Sequence, residues 1–157
     1  MQNQNLLDGK RILIVDDEPD VLETLEDYLD MCRITKATDF QEARELLENQ
    51  YFDAAILDIM GVDGYALLNI CSRKGVVAVM LTAYAMTPED IVKSYEDGAA
   101  SFLPKEKMGD IEIFLCDIFE AKEKGKNLWW RWVDRLADYC EKKFGPDWQK
   151  DHGFKVR

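Results

Sequence analysis

Histidine is nearly missing from this chain. His152 is the only one among 157 residues, and no residue is spaced to join it as a catalytic pair or a metal ligand. Cysteine is scarce too: Cys32, Cys71, Cys116 and Cys140 lie far apart with no CxxC pair. That pattern predicts reduced packing thiols and a cytoplasmic protein. Basic residues are outnumbered, with Lys plus Arg at 20 against Asp plus Glu at 31 and a net charge of -11. The electrostatic footprint of a duplex-binding protein is therefore absent, and no nucleic-acid partner is expected. No run of about 18 apolar residues occurs, so no membrane span is predicted. The opening MQNQNLLDGKR has no apolar segment of the kind a secretory signal needs. What remains is ordinary for a globular protein: 47% hydrophobic and 32% charged residues over one domain length.

Residues 1–10 are polar and are expected to form a flexible N-terminus. The run Ile12 to Val15 is short, β-branched and ends in acids, which predicts a buried parallel strand. Pro19 suits a first helical position, and Val21, Leu22, Leu25, Tyr28 and Leu29 continue at helical spacing to about Met31. RITKAT predicts a second strand, and Ala43, Leu46 and Leu47 mark a helix over 40–49. FDAAILD is a third strand ending in Asp58, and YALLNICSRK is a helix after the Asp63-Gly64 turn. VVAVMLT is a fourth strand. Thr87-Pro88-Glu89-Asp90 starts a helix, with a capping hydroxyl, proline and acids at the positive end of the dipole. ASFLP is a fifth strand, and Ile111, Phe114, Leu115, Ile118 and Phe119 stripe a helix to about Lys124. Strands alternating with helices predict an α/β fold. Right-handed crossovers restrict it to a doubly wound, five-stranded parallel sheet.

Composition changes after Gly125, a suitable helix C-cap. Residues 128–157 hold Trp129, Trp130, Trp132 and Trp148 and carry +2, leaving -13 for 1–127. An extra C-terminal helix is predicted over about 128–144. The chain thus divides into a unit at 11–126 and a Trp-rich extension at 127–157. Trp129, Val133, Leu136 and Cys140 share one helical face, widened by Trp132 and Tyr139. Such a face either packs on its own domain or serves as an output or dimer surface, where aromatics are favoured. Trp129, Trp132, Val133 and Leu136 are the candidates for that surface.

In an open α/β sheet, ligands bind beyond the carboxyl ends of the strands. Asp16 and Asp17 lie at the first end, Asp58 at the third, Thr82 at the fourth and Lys105 at the fifth. Clustered carboxylates repel unless a cation joins them, and a hard divalent ion with oxygen ligands is the natural one. Mg2+ on Asp17 and Asp58, with Asp16 helping, leaves one Asp58 oxygen free to attack phosphorus. Lys105 and Thr82 would stabilise charge on the transferring group.

The motifs ILIVDDEP, AAILDIMGVDGYALL, VVAVMLTAYA and SFLPK closely resemble the response-regulator receiver domain of two-component signalling, over about 11–122. The resemblance implies a flavodoxin-like fold in which Asp58 is the phosphoacceptor, Asp16 and Asp17 the metal-binding acids, and the Met60 carbonyl a further Mg2+ ligand. It also implies Thr82 as the switch hydroxyl, Lys105 as the phosphoryl-binding lysine and Phe102 as a switch aromatic, half exposed by strand alternation. Met60 and Tyr84 occupy positions where the family tunes attack by water, and the apolar Met60 predicts a long-lived phosphoryl group. The chain departs from the family pattern between Asp58 and Gly64, about two residues short and without proline.

The function implied is a stand-alone response regulator, phosphorylated by a histidine kinase or a histidine phosphotransfer protein and signalling to an unidentified protein by contact. The chain would not be an enzyme beyond its own phosphoryl transfer and slow autodephosphorylation. Alternatives are a phosphorelay intermediate, or a phosphatase with an aspartyl nucleophile.

Overall fold

The computed structural model describes residues 6–83 and 86–156. Its strands are β1 (Arg11–Val15), β2 (Arg33–Ala37), β3 (Ala54–Asp58), β4 (Val77–Thr82) and β5 (Ser101–Pro104). All pair in parallel, in the order β2-β1-β3-β4-β5, which is the expected doubly wound, flavodoxin-like sheet. Every residue of β3 is buried, as is β1 from Ile12 to Val15, because helices cover both faces. These helices are α1 (Pro19–Tyr28), α2 (Phe40–Asn49), α3 (Gly64–Lys74), α4 (Pro88–Glu96) and α5 (Ile111–Lys124). α1 packs on α5, α2 on α3, and α4 against β5.

Local chemistry sets the helix ends. The Thr87 hydroxyl accepts from the Asp90 N–H at 3.1 Å and Pro88 opens α4, as its sequence predicts. Gly125 closes α5 at φ 67°, a left-handed position that favours glycine. α1 stops three residues before the expected Met31, where Leu29 leaves helical geometry at φ -114° and ψ 40°.

Three expectations change. The segment at 1–10 is not uniformly loose: Leu7 is fully buried, Lys10 N–H donates to Leu7 O at 3.0 Å and Gly9 N–H donates to Met31 O at 2.9 Å. Residues 1–5 lie outside the described residues. A 3-10 turn, Lys105–Asp110, joins β5 to α5 where the sequence carried no helical signal. The extension forms two helices, α6 (Trp132–Phe144) and α7 (Trp148–Asp151). α6 starts four residues late because the Asn127 side chain accepts from the Trp129 N–H at 2.8 Å and makes a turn first.

The extension packs on its own domain. β5 is an edge strand, and its Phe102 carbonyl accepts from Trp132 Nε1 at 2.7 Å. The Ala99 carbonyl, just before β5, accepts from Trp129 Nε1 at 2.8 Å. Tyr95 of α4 meets the Trp129 ring edge-on, with centroids 5.1 Å apart. Arg135 pairs with Asp117 on α5, and Arg131 reaches Glu120 at 3.2 Å. His152, in the tail, lies 3.3 Å from Glu89 on α4. Of the two roles weighed for the face of Trp129, Trp132, Val133 and Leu136, the structure has packing on its own domain, and the output or dimer surface is corrected. Trp129, Trp132 and Leu136 are buried inside the chain, and Val133 is half-buried against the core. The unpaired carbonyls at the β5 edge attract indole donors from the same chain.

Cys71, Cys116 and Cys140 are buried and Cys32 half-buried. Burial pushes the thiols up, to about 11 for Cys32 and Cys116 and about 12 for Cys71 and Cys140. None is a thiolate at neutral pH, in keeping with packing roles.

Candidate functional site

Parallel strands deliver their carboxyl ends to one rim, and the predicted residues gather there. Asp16 follows β1 and is fully buried. One of its oxygens accepts from the Glu18 N–H at 2.9 Å, and the other lies 2.9 Å from Lys105 Nζ. Asp58 closes β3; its Oδ2 accepts from the Gly61 N–H at 3.2 Å and its Oδ1 is 3.4 Å from Lys105 Nζ. Thr82 closes β4 beside Pro104 and is buried. Lys105 enters from the end of β5, with its side chain 14% exposed.

Glu18 joins this group, and sequence reasoning missed it. Its Oε1 is 2.9 Å from Lys105 Nζ, so one ammonium binds three carboxylates. Its place as the third acid of Asp-Asp-Glu was the available signal. Nothing in the spacing showed that the lysine, 87 positions away, would reach it.

The short loop after Asp58 is legible in its glycines. Gly61 lies against Asp17, so that a Cβ there would stand 2.5 Å from Asp17 Oδ1. At Gly64 a Cβ would come within 2.3 Å of the Asp58 carbonyl oxygen. Asp63 between them takes φ 54°, unusual for a residue other than glycine. The turn from Gly61 to Gly64 thus runs directly against the two aspartates. Gly61→Ala meets only the movable end of a side chain, so the fold should survive while the Asp17 carboxylate shifts. We expect Mg2+ affinity to fall about tenfold, equivalent to about 1.4 kcal/mol, with the melting temperature nearly unchanged. A fluorescence-monitored Mg2+ titration checks this, and unchanged affinity would remove Asp17 from the metal's ligands.

Negative charge exceeds positive at the rim. Burial holds the Asp16 carboxyl above its ordinary range, and the Asp58 charge adds to this; Lys105 and the Glu18 N–H oppose it. For Lys105, burial pulls the ammonium down, but its bonds to Asp16 and Glu18 and the Asp16 and Asp58 charges outweigh this and hold it above the ordinary lysine value.

The side-chain oxygens of Asp16, Asp17 and Glu18 lie within 4.8 Å of one another. These are hard donors in net negative surroundings, which fits Mg2+. The expected ligand set of Asp16, Asp17, Asp58 and Met60 shares Asp16 and Asp17 with this cluster, which adds Glu18. Asp58 lies outside that group of three, and the Lys105 ammonium contacts Asp16, Glu18 and Asp58 alike, at 2.9, 2.9 and 3.4 Å. The Met60 side chain is 85% exposed, on the turn that follows Asp58. Phe102 is fully buried rather than half exposed, because β5 is covered on its faces and its outer edge. Tyr84 lies outside the described residues.

The family model of the response regulator receiver domain matches residues 12–113. The chain is 30% identical over 124 residues to the response regulator GtcR of Aneurinibacillus migulanus, covering 73% of this chain and 51% of that protein. It is 33% identical over 99 residues to the transcriptional activator protein PfeR of Pseudomonas aeruginosa, covering 60% of this chain and 32% of that protein. This chain therefore spans about half and about a third of the lengths of these two curated relatives. A CheY-like response regulator receiver domain protein from Methanospirillum hungatei JF-1 superimposes with a TM-score of 0.61 at 27% identity, over 73% of this chain and 98% of that one.

Proposed function

The chain belongs to the response regulator receiver domain family, and from that premise we propose that Asp58 accepts a phosphoryl group from the phosphohistidine of a histidine kinase or a histidine phosphotransfer protein. An Asp58 oxygen attacks phosphorus, the phosphorus–nitrogen bond to the donor imidazole breaks, and the electron pair leaves with that ring. Lys105 stabilises the charge gathered on the phosphoryl oxygens, and Thr82, buried at the adjacent strand end, offers a hydroxyl to one of them. Asp16, Asp17 and either Glu18 or Asp58 would hold Mg2+, with the Met60 carbonyl as a further ligand. Once bound there, Mg2+ neutralises charge on the transferring group.

The observation that carries this reading is the Lys105 ammonium within 2.9 Å of Asp16 and 3.4 Å of Asp58. It brings an activating cation and a buried carboxylate nucleophile to one rim. The Met60 thioether is a weak acceptor that orients water poorly, which favours a long-lived acyl phosphate. Phe102 is proposed to transmit the change at Thr82 through β5, with contact to another protein as the readout.

The test uses acetyl phosphate with Mg2+ and intact mass. Wild type should gain one phosphoryl group, as an Asp58 oxygen–phosphorus bond forms and acetate leaves. Asp58→Asn should gain none. Equal labelling of the variant would place the acceptor elsewhere.

A further inference from the structure

α6 lies beyond the stretch that the family model matches, 12–113, yet it grips the segment that carries Lys105 on both sides. Three residues before Lys105, the Phe102 carbonyl accepts from Trp132 Nε1 at 2.7 Å. One residue after it, the Glu106 carboxylate accepts from the Tyr139 hydroxyl. Trp132 and Tyr139 are two helical turns apart and so share one face of α6. Lys107 in the same turn places its ammonium 5.5 Å from the Tyr139 ring centre, and Lys143 of α6 lies 5.7 Å from it. Between these two anchors, Arg135 ties α6 to Asp117 of α5; one contact, Nη2 to Oδ1, is 2.9 Å. One rigid helix thus fixes β5, the 3-10 turn and α5 relative to each other.

The position of that turn matters to the chemistry. The Lys105 ammonium has Asp16, Glu18 and Asp58 within 3.4 Å. A small shift of its backbone changes which of them it serves. Phosphoryl transfer depends mostly on positioning and charge stabilisation, and a misplacement of about 1 Å costs up to about a hundredfold.

We infer that α6 is part of the phosphoryl-transfer site, with Tyr139 and Trp132 as positioning residues that hold Lys105 in reach of the group on Asp58. The inference rests on the reading of Asp58 as phosphoacceptor.

The test uses the full chain as Tyr139→Phe, Glu106→Ala and Glu106→Gln. The first removes only a hydroxyl, the second removes the acceptor, and the third keeps an acceptor oxygen. With acetyl phosphate and saturating Mg2+, Tyr139→Phe and Glu106→Ala should label about three- to tenfold more slowly, the worth of about one hydrogen bond. Mg2+ affinity at neutral pH should change by much less than the rate, and Glu106→Gln should label as wild type does. In metal-free protein, amides of 105–110 should exchange hydrogen faster in the two slow variants. A wild-type labelling rate in Tyr139→Phe overturns the inference. So does a loss of Mg2+ affinity that matches the loss of rate, or a Glu106→Gln variant as slow as Glu106→Ala. A wild-type chain that takes no label overturns the reading of Asp58 itself, and the inference with it.

Discussion

Lys105→Ala is expected to slow phosphoryl labelling of Asp58 by about a hundred- to a thousandfold, the range for removing one preorganised charge-stabilising donor. The loss is large because the ammonium is mostly buried, with its side chain 14% exposed, and three carboxylates within 3.4 Å fix its place. The change also has a pH signature. Asp16 already sits above the ordinary carboxylate range through burial and the Asp58 charge, and Lys105 opposes both. Without the lysine the Asp16 carboxyl rises further. Metal binding needs the carboxylate form, so Mg2+ affinity falls as pH drops through the Asp16 value, and in Lys105→Ala it falls at a higher pH than in wild type.

Stability moves as well. A lysine whose folded value is raised contributes stability that is fully present below its unfolded value and is lost as pH rises through the folded one. The variant therefore loses stability across the neutral range, and Mg2+ should restore part of it. Labelling rates, Mg2+ titrations at several pH values and melting with and without Mg2+ check each part. An unchanged labelling rate would strip Lys105 of its role.

Trp129→Ala should destabilise the fold by about 3–5 kcal/mol, the usual cost of truncating a large buried aromatic. Trp129 is 2% exposed, and its indole nitrogen satisfies the Ala99 carbonyl at 2.8 Å. Its ring meets Tyr95, Trp132 and Phe154 at centroid distances of 5.1, 4.9 and 5.9 Å. Truncation leaves a cavity and an unpaired carbonyl at the sheet edge together. The neighbouring Trp130 is the control. It is half-buried, with Lys126 and Arg131 each 4.3 Å from its ring centre. Trp130→Ala should cost only about 1–2 kcal/mol, the worth of two partly exposed cation–π contacts. Denaturant unfolding followed by circular dichroism separates the two. Equal, small effects would mean that the extension is not integral to the fold.

Much of this protein was legible in its sequence because the relevant signals are local. Apolar runs at Ile12–Val15 and Val77–Leu81, helical stripes such as Val21, Leu22 and Leu25, and the Thr87-Pro88 helix start each depend on near neighbours. Strand ends in a parallel sheet must share a rim, so Asp16, Asp17, Asp58, Thr82 and Lys105 followed from strand order alone.

Tertiary structure decided what depends on partners distant in the chain. A periodic pattern assigns Trp129 and Leu136 to a face but does not name what that face covers, and here it covers the chain's own β5 edge. Leu7 reads as part of a polar tail and is buried, because a core accepts an apolar side chain from any adjoining segment. Glu18 reads as one more exposed acid, yet it shares an ammonium with Asp16 and Asp58. Backbone periodicity is a short-range property, whereas burial and ion pairing are settled only when segments far apart in the chain come within a few ångströms.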